Sequence, residues 1–184
     1  MAVTTTNLTM GPGAFWIGAL AVAEPTGLAA PGVGWRDVGG TQDGITLNVA
    51  ETLTELDVDQ LVDIPERRRT KREMTVATNV AETTLENLAD AINEPAPAAA
   101  VAGLQSLDVT TGLAAFRPAY RACLFDGPGV NNLTRRVIVR KTLSTEGTEF
   151  AYKKDGQNVY SITRAAHFVS DAIKPFIFRE ATAA

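Results

Sequence analysis

Few side chains in this sequence are placed to do covalent chemistry. It holds one histidine, His167, and one cysteine, Cys123. A cysteine nucleophile needs a base within hydrogen-bond reach and a third group that orients the base. The segments around the two residues, RACLF and RAAHFV, supply no such group. Both alternate with apolar neighbours in the manner of strand positions. Cys123 therefore reads as a small core residue and His167 as a structural histidine, and a Cys123–His167 dyad is the one catalytic alternative. A structural zinc site takes four ligands, mostly Cys and His, and the chain has no second residue of either type. Gly11-Pro12-Gly13 and Gly127-Pro128-Gly129 lead into no helical pattern, so no phosphate cradle is expected. The expectation is a non-enzymatic chain without metal or cofactor.

The charged residues carry more information. Asp43, Glu51, Glu55, Asp57, Asp59, Asp63 and Glu66 follow one another with no basic residue between them. Their spacing is too loose for a calcium loop. Arg67, Arg68, Arg69, Lys71 and Arg72 then place five cations in six residues. Such a run can contact nucleic-acid phosphates, form a solvated loop tip, or dock on an acidic surface of a neighbouring copy. Docking is preferred, because the acidic and basic runs belong to one hairpin. The net charge is −4, and a nucleic-acid binder would pair positive charge with interleaved aromatics. Residues 1–116 hold 6 basic and 15 acidic groups, against 11 and 6 in residues 117–184. Opposite poles of this kind favour head-to-tail association.

The elements that position these groups read mainly as strands. Residues 1–12 are predicted to be an N-terminal arm. GAFWIGALAV from Gly13 mixes aromatic, branched and small residues, as a buried strand does. Trp35 to Val38 is a short strand before a glycine-rich turn. Ile45, Leu47 and Val49 alternate with polar residues, Leu53 to Val58 continues that strand after a bend or bulge, and Met74, Val76 and Thr78 alternate on the return. Between them, 59–72 is charged, contains Pro65 and lacks a period, so it is predicted as a long exposed loop. One helix is expected over 83–92. Thr83 is its N-cap and Glu86 completes a capping box, and Leu85, Leu88, Ala89 and Ile92 form its packing face. Pro95 and Pro97 end it. Later strands are predicted at 119–125, 135–142, 149–153, 158–169 and 174–179, with Asp155-Gly156 as a hairpin turn.

Composition bounds the rest. A chain of 184 residues suits one domain, 1–184. With 45% hydrophobic and 21% charged residues it falls among globular proteins rather than disordered ones. No apolar run reaches the roughly 18 residues of a membrane helix. The N-terminal MAVTTTNLTM has no basic region, so a secretory signal is not expected. A single cysteine excludes an internal disulfide framework and suits a reducing cytoplasm.

The run LDVDQLVDIPERRRTKREMTVATNVAETTLENLADAI resembles the central segment of major tail tube proteins from long-tailed phages of actinobacteria. YSITRAAHFVSDAIKPFIFR is similar to their closing strand, turn and final strand, and GAFWIG and Trp35 match their opening features. The order of these loose matches carries the resemblance over about two thirds of the chain, and 96–118 matches nothing. The resemblance implies a β-sandwich or open barrel flanked by one helix, with strands contributed to an intersubunit barrel. It implies homohexameric rings stacked into a hollow conduit for genome ejection. Inside run DNA and a tape measure protein without specific binding, and tail terminator and distal tail proteins sit at the ends. The site implied is the virion tail, assembled in the host cytoplasm, without membrane. Asp59, Asp63, Arg67, Arg68, Arg69, Lys71 and Arg72 become ring-stacking candidates, and Glu51, Glu55 and Asp57 become lumen-lining candidates. Four strands from each of six subunits, about 4.8 Å apart, would enclose a channel roughly 37 Å across at the backbone, and an acidic wall would repel the duplex weakly and let it slide. The alternatives are a tube subunit of a contractile injection or secretion system, and a monomeric small-ligand-binding β-barrel.

Overall fold

A computed structural model describes residues 7–149, 152 and 154–182. Their strands are β1 (Ala14–Ala19), β2 (Trp35–Asp37), β3 (Thr41–Leu56), β4 (Glu66–Val80), β5 (Ala98–Val101), β6 (Leu104–Ser106), β7 (Arg121–Pro128), β8 (Thr134–Ser144), β9 (Tyr160–Ala166) and β10 (Phe176–Glu180), with a helix α1 (Leu85–Ala91) after β4. The fold is mainly β with one helix, built on a large antiparallel sheet.

The main sheet runs β2-β1-β7-β8-β9-β4-β3. Strand β8 organises it. One edge of β8 pairs with β7 from Thr134 to Thr142, while the other is shared, by β10 over Arg135 to Val139 and by β9 over Thr142 to Ser144. The sheet forks there. It also curls, because β3 comes back beside β1: a Cβ on Gly13 would sit 3.0 Å from Ile45 Cδ1. Phe15 and Ile17 of β1, Met74, Val76 and Val80 of β4, Val137 and Val139 of β8, and Tyr160 and Ile162 of β9 fill the space enclosed. In β4, buried Met74, Val76, Thr78 and Val80 alternate with half-buried residues, the period of two that was legible in the sequence.

Helix α1 is held differently from expectation. Its N-cap is Thr84 rather than Thr83, the side chain accepting a hydrogen bond from the Asn87 N–H at 3.2 Å. The residues buried against the sheet are Asn87, Ala89, Asp90 and Ala91. Of the predicted packing face, Ala89 is buried, Leu88 packs on the core and Leu85 is half-buried, but Ile92 is the C-cap and 37% exposed. Polar bonds do much of the clamping. Asn87 Nδ2 donates to Val38 O at 2.9 Å and to Glu82 O at 2.7 Å, and its Oδ1 accepts from Arg36 at 2.6 Å. The Asp90 carboxylate accepts from Arg36 at 2.5 Å and Arg121 at 2.8 Å, and its carbonyl from buried Arg164 at 2.7 Å.

Other expectations are corrected. The segment 59–72 is not one loop: 57–65 connects the strands, and Glu66–Arg72 belong to β4. Cross-strand ion pairs there support a ribbon with water on both faces, which needs no apolar alternation. The two charge halves of the sequence are not two poles of the subunit, because β7 to β10 lie between β1 and β4. Asp90 meets Arg121, and Glu24 meets Arg140 and Arg179, so acids of the first half are spent on bases of the second. Residues 96–118 form the small β5–β6 hairpin and a 3-10 turn at Gly112–Phe116. Residues 1–6 of the expected N-terminal arm, and Phe150, Ala151 and Lys153 of the expected strand at 149–153, lie outside the described residues. Residues 7–12 are exposed.

Candidate functional site

The feature that stands furthest from the core is the distal half of the β3–β4 hairpin. Near the body it is anchored: Ile45, Leu47 and Val49 pair with Thr78, Val76 and Met74. Beyond Met74, seven further cross-strand pairs, from Ala50–Glu73 to Leu56–Glu66, carry the hairpin outward. At about 3.3 Å per residue this arm is roughly 23 Å long. Asn48 to Glu55 and Glu66 to Glu73 are all exposed, so both faces of the ribbon stand clear of the body. β3 is also the end strand of the sheet, and among the described residues one of its edges carries no partner strand.

The two faces differ. Alternation sends Glu51, Leu53 and Glu55 to the side continuous with Leu47 and Val49, together with their partners Arg72, Arg69 and Arg67. Thr46, Asn48, Ala50, Thr52 and Thr54 lie on the other face with Thr75, Glu73, Lys71 and Arg68. Thr70 has no partner residue, a bulge at which the register shifts between Thr52 and Leu53. Its hydroxyl donates to the Thr52 carbonyl at 3.2 Å.

The lumen and stacking candidates thus sit together on this arm, but most are already ion-paired within it. Arg67 donates twice to Glu55, at 2.7 and 3.0 Å. Arg69 lies 3.2 Å from Glu51, Lys71 2.6 Å from Glu73, and Arg68 3.8 Å from Glu66. Arg72 covers the Phe176 ring at 5.4 Å, which fastens the root of the arm to β10. The face carrying Glu51 and Glu55 therefore has compensated charge rather than an acidic field. Exposed pairs of this kind add only about 0–1 kcal/mol each, and their use is to hold register.

The tip is what sequence reading missed. Asp57, Asp59 and Asp63 lie in the connection 57–65, all exposed, and with them stand four apolar side chains. Val62 is fully exposed, Leu61 is 59% exposed, and Val58 and Ile64 are more than 40% exposed. The signal was present in VDQLVDI, where branched apolar residues alternate with aspartates, but the flanking charges and Pro65 masked it.

On the body, an apolar cleft of about 450 Å³ opens between the loop after β1 and the segment before β10. Leu20, Val22, Trp35, Ile138, Val169 and Ile173 form its walls. Trp35 is fixed by its indole N–H, which donates to Ala23 O at 2.9 Å. Arg140, Lys141 and Glu24 are the charged residues of its lining. Arg140 and Arg179 hold Glu24, and Lys141 rests over the Tyr120 ring at 4.6 Å.

The residues with nucleophilic or acid–base potential sit elsewhere. Cys123 is fully buried, and burial pushes its thiol up to about 11, against the smaller opposing influence of Arg164 and Thr142. His167 is not among its polar neighbours. That histidine follows β9, packs edge-on against Tyr120 with ring centroids 5.4 Å apart, and is held below its ordinary pKa by burial and by Lys141. Among the described residues no group of three or more His, Cys, Asp or Glu side chains could hold a metal ion, and no helix is long and apolar enough to cross a membrane.

No protein-family model matches the chain, and no curated protein is significantly similar to it.

Proposed function

We propose that this chain is a non-catalytic, self-assembling structural subunit, and specifically the tail tube subunit of a long-tailed phage. In this reading, homohexameric rings stack into a hollow conduit that carries DNA into the host. The carrying observation is the β3–β4 arm. A two-stranded ribbon is marginal in water on its own, and an exposed strand edge is a template for pairing with another chain. Strands from several subunits closing into one barrel would remove that edge and cover the ribbon. The resemblance of the segment from Leu56 to Ile92 to tail tube proteins adds to this.

The geometry changes which residues would line the conduit. Glu51 and Glu55 continue the core face, so they would turn toward the neighbouring subunit. The opposite face, Thr46, Asn48, Thr52 and Thr54, would meet the channel. That wall sets hydroxyl and amide side chains beside the compensated pairs Lys71–Glu73 and Arg68–Glu66, so it would give a duplex neither a strong attraction nor a strong repulsion, which suits passage.

The test is direct. Concentrated protein examined by sedimentation and negative-stain microscopy should show six-fold rings and tubes, and only monomer at every concentration would defeat the reading. The apolar cleft favours a second reading, a monomeric β-barrel that binds a small apolar ligand. That protein would stay near 20 kDa and bind its ligand with unit stoichiometry.

A further inference from the structure

We infer that the arm tip of one subunit docks in the Trp35–Ile173 cleft of another copy. The inference rests on the self-assembly reading and names the two surfaces that meet. The tip offers Val58, Leu61, Val62 and Ile64, all exposed at the end of an arm roughly 23 Å long. The cleft offers about 450 Å³ of space with predominantly aliphatic and aromatic walls. Their charges are complementary. Residues 57–65 carry Asp57, Asp59 and Asp63 and no base, whereas the cleft lining includes Arg140 and Lys141, with Glu24 held by Arg140 and Arg179. Apolar side chains would fill the cleft while aspartates approach its cations. Apolar burial supplies most of the affinity in such a contact, and the charges set orientation and exclude wrong partners.

The lining of the cleft includes no residue of its own subunit's arm. A tip and a cleft on different parts of one surface make a heterologous contact, which propagates from copy to copy or closes into a ring. The match in apolar character and opposite charge makes the tip of a second copy the occupant.

Cysteine cross-linking tests this. Val62→Cys and Ile173→Cys place thiols on exposed side chains, and the native Cys123 is buried. Mixing the two variants under mild oxidation should give a covalent dimer, and a chain carrying both substitutions should give a ladder. Neither variant alone should cross-link, and a Val62→Cys homodimer would overturn the inference by placing tip against tip. Val62→Asp should leave the thermal midpoint unchanged and raise the concentration needed for assembly at least tenfold. If the wild type assembles but the mixed cross-link is missing and Val62→Asp assembles normally, the docking site is wrong and self-assembly stands. If the wild type remains monomeric throughout, both ideas fail together.

Discussion

Arg136 shows how much of this fold depends on a single buried charge. Arg136 has no exposed surface, and its guanidinium forks onto Asp126 at 2.6 and 2.7 Å while also donating to the carbonyl of Gly27 at 2.9 Å. It therefore ties the loop after β1 to the sheet. Removing one partner of a buried pair leaves an uncompensated charge. Asp126→Ala is expected to cost about 3–5 kcal/mol in urea unfolding, far more than loss of an exposed pair such as Arg67–Glu55. His167 gives a pH signature. Burial and Lys141 hold its folded pKa below 6.5, so the unfolded chain takes up the proton first. The contribution is complete above pH 6.5 and is lost as pH falls toward the folded value. The thermal midpoint of the wild type should therefore drop between pH 7.5 and pH 5.5 by more than that of His167→Gln. The double substitution Cys123→Ser with His167→Gln should leave assembly intact, because the thiol stays protonated at neutral pH and faces Thr142 and Arg164. Loss of function with normal assembly would reopen a catalytic reading.

Among the elements, the hairpin arm stands most in solvent and is the one that the proposed assembly would order. In the dispersed subunit its amides, from Ala50 to Leu56 and from Glu66 to Glu73, should exchange with solvent fast, with protection rising at Met74 where β4 enters the core. Assembly should slow the arm and leave 74–80 little changed, as hydrogen exchange with mass spectrometry would show. Reversing Arg67, Arg68 and Arg69 to Glu should block assembly and leave the body folded, since all three are exposed. Normal assembly of that variant would make the arm a solvated projection. The same element shows what a sequence can disclose. Ile45, Leu47, Val49, Met74 and Val76 alternate because one face is wet and the other dry, so these strands were legible. Leu53 to Leu56 was legible as the continuation of β3, but between Glu66 and Arg72 both faces meet water, nothing imposes a period, and paired strand looked like loop. The helix was legible from its Thr-rich start and from Leu85, Leu88 and Ala89, although the cap is Thr84 rather than Thr83 and Ile92 is exposed. Asn87 and Asp90 became buried only because Arg36, Arg121 and Arg164 arrive from distant strands. Pairings at that separation leave no local trace. The β5–β6 hairpin escaped notice for a simpler reason: Ala98–Val101 is uniformly small and exposed, so it has no amphipathic pattern to read.

At the scale of the whole molecule, the fork at β8 makes one strand common to both halves of the sheet. β1 and β2 pair with the rest of the sheet through β7 and β8, while β3 and β4 pair with it through β9 and β8. The order also separates neighbours in the sheet from neighbours in the chain. β1, at Ala14–Ala19, has β7 beginning at Arg121 as its main partner, and the anchored stretch of β4 rests on β9 beginning at Tyr160. A ribosome adds about 5–20 residues each second, so the first strand waits on the order of ten seconds for its partner. The arm emerges early and gains its anchor last. Nascent copies on one messenger would therefore present arm tips to one another before any of them had a finished acceptor cleft, since Ile138, Val169 and Ile173 are made late. If the arm tip docks as proposed, polymerisation would be timed by chain completion, and a translating polysome would be spared from becoming the seed of its own filament.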